Sequence, residues 1–326
     1  MQRIYGNKAL LDRLETMAVR GHAAHAVLFY GEKGSGRKTL AEYYCRLLLC
    51  ENLTDGKPCG KCKPCSNITS AVHPDIIFAE KSGKLGGYSV DTARKICSDA
   101  FAKPNNGDVK IYIFADCRNM DARTQNTLLK IIEEPPPHAC FIFTAETKDE
   151  FLPTVISRCL SFGISPCTAD ECRAALAEKG YSREQTAPAV GCFGGNIGMC
   201  IEYIENDSVK KIPRLTKTVL ESIINRDEYT LAAALHSISK ERADIREVLV
   251  LMGRTLRDAA MRISDTKSAR IGCDERCADA LAQSLTFTQA ERINAVSERA
   301  WAAIETNANA ALVMTSLCAE ISEILA

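Results

Sequence analysis

Four cysteines carry the most pointed chemistry in this sequence: Cys50-x8-Cys59-x2-Cys62-x2-Cys65, set among Lys57, Gly60, Lys61, Lys63 and Pro64. Two C-x2-C steps that share Cys62 can gather their sulfurs around one tetrahedral ion, and the turn residues between them free backbone N–H groups to stabilise thiolates. The spacing predicts a closed structural zinc site, because four thiolate ligands leave no open position for reaction at the metal. The neighbouring lysines read as solvated charges on an exposed knuckle, with contact to nucleic acid as the rival reading.

A glycine-rich segment comes earlier, Gly31-Glu32-Lys33-Gly34-Ser35-Gly36-Arg37-Lys38-Thr39, after a strand-like run and opening a helix through Leu40–Leu49. Glycines in that setting let backbone N–H groups curl around phosphate oxygens at a helix N-terminus, where the dipole favours negative charge. The pattern G-x-x-x-x-G-K-[ST] is met except at its end, where Arg37 replaces the lysine and Lys38 the hydroxyl that would hold Mg²⁺. A guanidinium is longer and planar, and an ammonium gives a metal no oxygen, so the loop is expected to be degenerate for catalysis. Two other readings stay open. One is a loop lengthened by a residue, so that Lys38 and Thr39 take over, although one step along a helix turns a side chain by about 100°. The other is a plain glycine-rich turn.

Two further residues belong beside this loop. The apolar run Ile111–Ala115 ends in Asp116. Phosphate-loop enzymes use such strands to deliver carboxylates to Mg²⁺ and water. Two adjacent acids are usual, and Ala115 stands in the first place, so Asp116 is either the surviving acid or a cap or turn residue. Pro153-Thr154-Val155-Ile156-Ser157-Arg158-Cys159 follows a second apolar run. An arginine at the end of a short helix can reach a neighbouring subunit's γ-phosphate and stabilise transition-state charge in trans, although most surface arginines are only salt-bridge partners.

The elements that must position these groups follow from the hydrophobic pattern. Short β-branched and aromatic runs at His25–Tyr30, Ile76–Ala79, Lys110–Ala115, Cys140–Ala145 and Leu160–Phe162 alternate with helical stretches, which predicts a parallel sheet with helices on both faces. Beyond about Ser165 only helical spacing recurs. Thr168 with Glu171, and Ser182 with Gln185, have capping-box spacing, and Gly180 and the Gly191/Gly194/Gly195 cluster are expected to stop the helices they open. With a third helix over Ile197–Ile204 they form a compact unit, and longer amphipathic segments follow an Asn206–Ser208 linker: Ile245–Ile263, Thr288–Ile304 and Asn309–Ile324. The expected domains are 1–165, with the 50–65 insertion, then 166–207 and 208–326.

Composition bounds the function. At 326 residues, 46% apolar and 25% charged, the chain suits two or three globular domains. Lys+Arg and Asp+Glu both number 41, so attraction of the whole molecule to nucleic acid or membrane is excluded as a binding force, and local patches must supply it. The first residues lack a signal-peptide core and no apolar run is long enough to span a bilayer, which gives a cytoplasmic expectation. In that compartment the other cysteines among the 16, including Cys45, Cys273 and Cys277, read as ordinary thiols, and His73 as a turn residue before Pro74.

Assembled, these features resemble the bacterial DNA polymerase III clamp-loader subunits of the AAA+ family, over essentially the whole chain. The resemblance rests on the cysteine insertion after the phosphate-loop helix, His73-Pro74-Asp75, Val90-Asp91-x2-Arg94, Asn126-Thr127-Leu128-Leu129-Lys130-Ile131-Ile132-Glu133-Glu134-Pro135, Ser157-Arg158-Cys159 and Asn307-Ala308-Asn309-Ala310-Ala311-Leu312. It implies an α/β AAA+ domain, a three-helix lid and a helical collar, in an ATP-driven ring that opens a sliding clamp and closes it around primed DNA. The ring's partners for this chain would be the gamma/tau and delta subunits.

Two kinds of subunit share this layout: the ATP-hydrolysing gamma/tau motor and the delta-prime stator, which keeps an arginine finger. Arg37, Lys38, Ala115 and Gly198 depart from the motor pattern while Arg158 is retained, which fits the stator. On that reading ATP is bound by the neighbour, and the helix over Asn126–Glu134, with Leu128, Leu129 and Ile132 on one face, holds the finger in register. Its alternatives are a motor that uses Lys38 and Thr39, and a zinc nucleic-acid-binding module that uses Lys57, Lys61 and Lys63.

Overall fold

A computed structural model of the chain describes residues 3–21, 23–83, 86–264, 271–272, 274–306 and 308–326; Cys273 and Asn307 lie outside the described residues. The chain divides into two compact units, Met1–Cys167 and Thr168–Ala326. The expected parallel α/β domain followed by helices is the fold class observed.

The first unit is built on five parallel strands, β1 (Ala26–Tyr30), β2 (Ile76–Phe78), β3 (Lys110–Phe114), β4 (Ala139–Ala145) and β5 (Leu160–Gly163), in the order β2-β3-β4-β1-β5. Alternation within each strand feeds two cores. Leu28, Tyr112, Phe114, Phe141 and Phe143 face one side, against α4 (Val90–Asp99), α5 (Ala122–Glu133) and α6 (Pro153–Ile156). Val27, Phe29, Ile111, Ile113 and Ile142 face the other, against α1 (Lys8–Val19), α2 (Arg37–Leu49) and α3 (Lys63–Thr69). Burial on both faces is why the central strands β1, β3 and β4 read as continuous apolar runs. Aromatic pairs tie the central strands across the first face: Tyr112 stacks on Phe141, and Phe114 on Phe143 at 5.1 Å between ring centres.

The order of strands matters more than their number. β1 lies between β4 and β5, so the chain that leaves β1 through α2 must return on the far side of β4 to make β2 and β3. That reversal opens a crevice beyond the carboxyl ends of β1, β3 and β4, the place where open parallel sheets bind ligands. The segments ending in Gly31, Asp116 and Glu146 all emerge there.

Asp75 shows how a buried charge fixes one of these elements. Fully buried ahead of β2, its carboxylate accepts backbone N–H groups from Asn105, Asn106 (2.8 Å) and Gly107 (3.1 Å). His73 is a turn residue as expected, its Nδ1 accepting the Asp75 N–H at 3.2 Å. Burial pushes the Asp75 pKa up, but the three N–H donors outweigh it and hold the carboxyl below its ordinary value. A depressed folded pKa means that this stabilisation is present above the unfolded value, about 3.9, and is lost as pH falls through the folded one. Asp75→Asn is expected to cost about 1.5–3 kcal/mol at neutral pH and to flatten the acid limb of the stability curve, read by urea melts from pH 2 to 7.

In the second unit every described element is a helix. α7 (Ala169–Glu178) and α8 (Arg183–Phe193) begin with the expected capping boxes, Thr168 with Glu171 and Ser182 with Gln185. Gly180 and Gly194, both at positive φ, follow their ends, whereas Gly191 lies inside α8. α9 (Ile197–Glu205) completes the group. α10 (Lys211–Asn225), α11 (Glu228–Ile238), α12 (Arg242–Ile263), α13 (Glu275–Ser284), α14 (Phe287–Glu305) and α15 (Ala310–Leu325) bury a core that includes Leu220, Leu235, Met252, Leu281, Ile293 and Leu317. Cys277 is buried there, as Cys45 is in the first unit. Among the described residues, no helix is long and apolar enough to cross a membrane.

Candidate functional site

The insertion gathers its thiols as the spacing predicts. Cys50 caps the end of α2, Cys62 caps the start of α3 and Cys65 lies within α3, while Thr54-Asp55-Gly56-Lys57 forms a tight turn with both central residues at positive φ. All four sulfurs lie within 4.8 Å of one another, with Cys50 and Cys62 at 3.9 Å. Metal–sulfur bonds of about 2.3 Å at tetrahedral angles put ligands about 3.8 Å apart, so the set fits a metal ion. The donors of the expected second layer are also in place: the Cys59 N–H points to Cys50 Sγ and the Cys62 N–H to Cys59 Sγ, each at 3.3 Å. N–H donation from Lys61 and Cys62 lowers the Cys59 pKa to about 6, whereas burial raises Cys50 and Cys65. Lys57, Lys61 and Lys63 are exposed, as are Glu51 and Asp55 of the same insertion.

The glycine-rich segment follows β1, and α2 starts at Arg37, with Gly34 and Gly36 in the left-handed region. Gly31 cannot carry a side chain, since a Cβ there would lie 2.9 Å from the Ile164 carbonyl and 3.0 Å from Ser35 Oγ. The Gly31 N–H donates to the Ala145 carbonyl at 3.2 Å, which locks the loop to the end of β4. Lys38 is exposed and Thr39 partly buried. Arg37 turns inward: its side chain is 11% exposed, its Nη2 lies 3.9 Å from Glu146 Oε1, and its Nη1 is buried without a hydrogen-bond partner. Arg118 also reaches the same carboxylate oxygen.

Asp116 lies in the loop after β3 at φ 53°, just before the turn at 118–119, its N–H donating to Thr144 Oγ1 at 2.7 Å; the cap of α5 is Asp121. Its Oδ2 pairs with Lys81 at 3.3 Å and its Oδ1 is buried without a partner. The loop and Asp116 are thus brought together through β4.

Arg158 belongs to a separate constellation. It follows the single turn of α6, with its N–H on the Val155 carbonyl, and its side chain pairs with Glu133 of α5 while Nη1 donates to the Thr154 carbonyl at 2.8 Å. Buried Gln125 clamps the approach, donating to the Glu150 carbonyl and accepting the Leu152 N–H at 2.7 Å. The apolar face of α5 needs a correction: Leu128, Ile131 and Ile132 are buried, whereas Leu129 is only partly so though packed against the same core, because residues three and four apart share a helix face and adjacent ones do not. Pro135 and Pro136 follow the helix end, where a missing N–H cannot continue it. Sequence reasoning missed Lys81, Gln125 and Glu146 as partners of the site, since nothing in their local spacing marks them.

A protein-family model described as DNA polymerase III, delta subunit, matches residues 6–168, half of the chain and all of the constellations above. The chain belongs to this family. It is a DNA polymerase III clamp-loader subunit related to gamma, tau and delta′. It is 27% identical over 168 residues to the gamma subunit of Buchnera aphidicola, matching 52% of this chain and 45% of that protein. The tau subunit of Bacillus subtilis is 28% identical over 166 residues, which is 51% of this chain and 29% of that protein. The delta′ subunit of Pseudomonas aeruginosa is 30% identical over 141 residues, or 43% of each. This clamp-loader chain therefore spans less than half the length of these relatives, and both kinds of subunit match it about equally.

Proposed function

We propose that this chain is a delta-prime-like stator of the clamp loader, which supports loading of a sliding clamp on primed DNA without turning over ATP itself. Arg158 would complete the ATP site of a neighbouring gamma/tau subunit as a finger in trans. The α7–α9 group would be the lid, and α10–α15 the collar that holds the gamma/tau and delta subunits. Cys50, Cys59, Cys62 and Cys65 would hold one structural zinc ion, for which four thiolates in a tetrahedral cluster are the fitting donor set.

One observation carries the reading. At the end of the phosphate loop a guanidinium faces inward where a lysine is needed, and Lys38 faces solvent where a metal needs an oxygen. The absence of a first acid at Ala115 supports it from the other side of the crevice. Arg158, by contrast, stands on the surface with its fork supported by Glu133.

The purified, metal-loaded chain is expected to release no phosphate from ATP above the rate of a buffer blank. Steady release, abolished by Lys38→Ala, would replace this reading with that of a motor subunit. Tight DNA binding by the isolated chain that weakens steeply with salt would favour the nucleic-acid module instead.

A further inference from the structure

The phosphate loop raises a question that the substitution of lysine by arginine leaves open: an arginine at a helix N-terminus is still a cation in an anion-binding setting. Charge alone predicts that phosphate should be drawn there. Yet the guanidinium is nearly buried and lies beside Glu146, which leaves the end of β4 and is itself only 21% exposed. The same carboxylate oxygen also takes Arg118. Glu146 is held in place by its backbone, whose N–H donates to Glu150 Oε1 at 2.9 Å within the turn over Lys148–Glu150. The opposite charge of the crevice is treated likewise, with Asp116 paired to Lys81 where a cation would otherwise stand.

We infer that Glu146 is an in-chain counter-ion that takes the place of a nucleotide phosphate at Arg37 and thereby excludes nucleotide from the loop. An almost buried guanidinium needs an anion, and a carboxylate tethered to the adjacent strand end supplies one at an effective concentration that free nucleotide does not match. A phosphate that entered would have to displace Glu146 from two arginines or place its own charge beside a carboxylate. Removing the Glu146 charge reverses the balance: Arg37 and Arg118 then lose the carboxylate oxygen that they share, and the Ser35 hydroxyl two residues before Arg37 has no hydrogen-bond partner. This deepens the stator reading, on which it rests, by naming the side chain that keeps the loop empty.

The test is ADP binding to the full, metal-loaded chain, followed by titration calorimetry and by the rise in melting temperature with ADP. Glu146→Gln is expected to bind ADP at least tenfold more tightly than wild type, and Glu146→Gln with Arg37→Gln to lose that gain. Glu146→Ala should repeat the gain with a side chain of different shape. Equal ADP affinity in wild type and folded Glu146→Gln would overturn the inference and leave the stator reading standing. Failure of both Glu146 variants to fold, with or without ADP, would also overturn it, since the carboxylate would then be a structural requirement. ATP turnover by wild type is the separate result that would sink the stator reading itself.

Discussion

Arg158→Ala is expected to lower ATP turnover at the neighbouring gamma/tau site of a reconstituted loader on the order of 10³-fold, the scale set by fingers in trans, while the chain itself stays folded. The two halves of this expectation have separate physical sources. Both partners of the Arg158–Glu133 pair are more than one-third exposed, and such surface pairs contribute about 0–1 kcal/mol. Truncation therefore leaves α5 and α6 in place, because Val155, Leu128 and Ile132 hold them by burial. On the proposed role, what would be lost is a planar fork available to developing phosphoryl charge on the neighbour. Arg158→Lys keeps the charge without the fork and should recover only part of the rate. Assembly should be measured alongside turnover: an intact ring with normal turnover would remove the finger role, and a broken ring would assign Arg158 to the interface instead.

Loss of the proposed metal is the second large effect expected. One zinc per chain is expected by elemental analysis, and Cys62→Ser or exhaustive chelation should release it and unfold the 50–65 insertion. Structural zinc supplies about 10–16 kcal/mol of apparent binding energy in small zinc modules, far more than a segment this size can gain from burial. The insertion has little else to hold it. Cys65 and Ile68 are buried, while Glu51 to Asp55 are exposed. The turn at Gly56 lies against α1, where an added Cβ would come within 3.1 Å of Val19. Limited proteolysis should therefore cut within the insertion of the metal-free protein and spare the sheet, whose two cores do not depend on the thiols. A metal-free preparation with an uncut insertion would refute the zinc assignment.

The central strands were legible because they are buried on both faces and read as apolar runs, as Lys110–Phe114 and Ala139–Ala145 do. The capping boxes of α7 and α8 were legible because they are local in sequence. A third box, Thr286 with Gln289 at the head of α14, has the same spacing and was open to the same reading. Leu129 is only half-buried because it lies about 100° around α5 from Leu128, whereas Ile131 and Ile132, three and four residues on, share the buried face, and α5 starts one turn before the segment read as helical.

What the sequence determined by itself is the chemistry available: four thiols at ligand spacing, a glycine-rich loop that ends in Arg37 and Lys38, a lone acid and an arginine after a short helix. Each is a matter of residue type at close spacing, which a chain carries into any fold. Tertiary structure alone decided which charge answers which. Arg37 with Glu146, Asp116 with Lys81 and Arg158 with Glu133 are pairs whose members are far apart in the chain. They meet because strand order sets which loops share an edge of the sheet, the carboxyl edge for the first two pairs and the amino edge, ahead of β4 and β5, for the third, and that order is fixed by packing over whole faces rather than by any local run of residues.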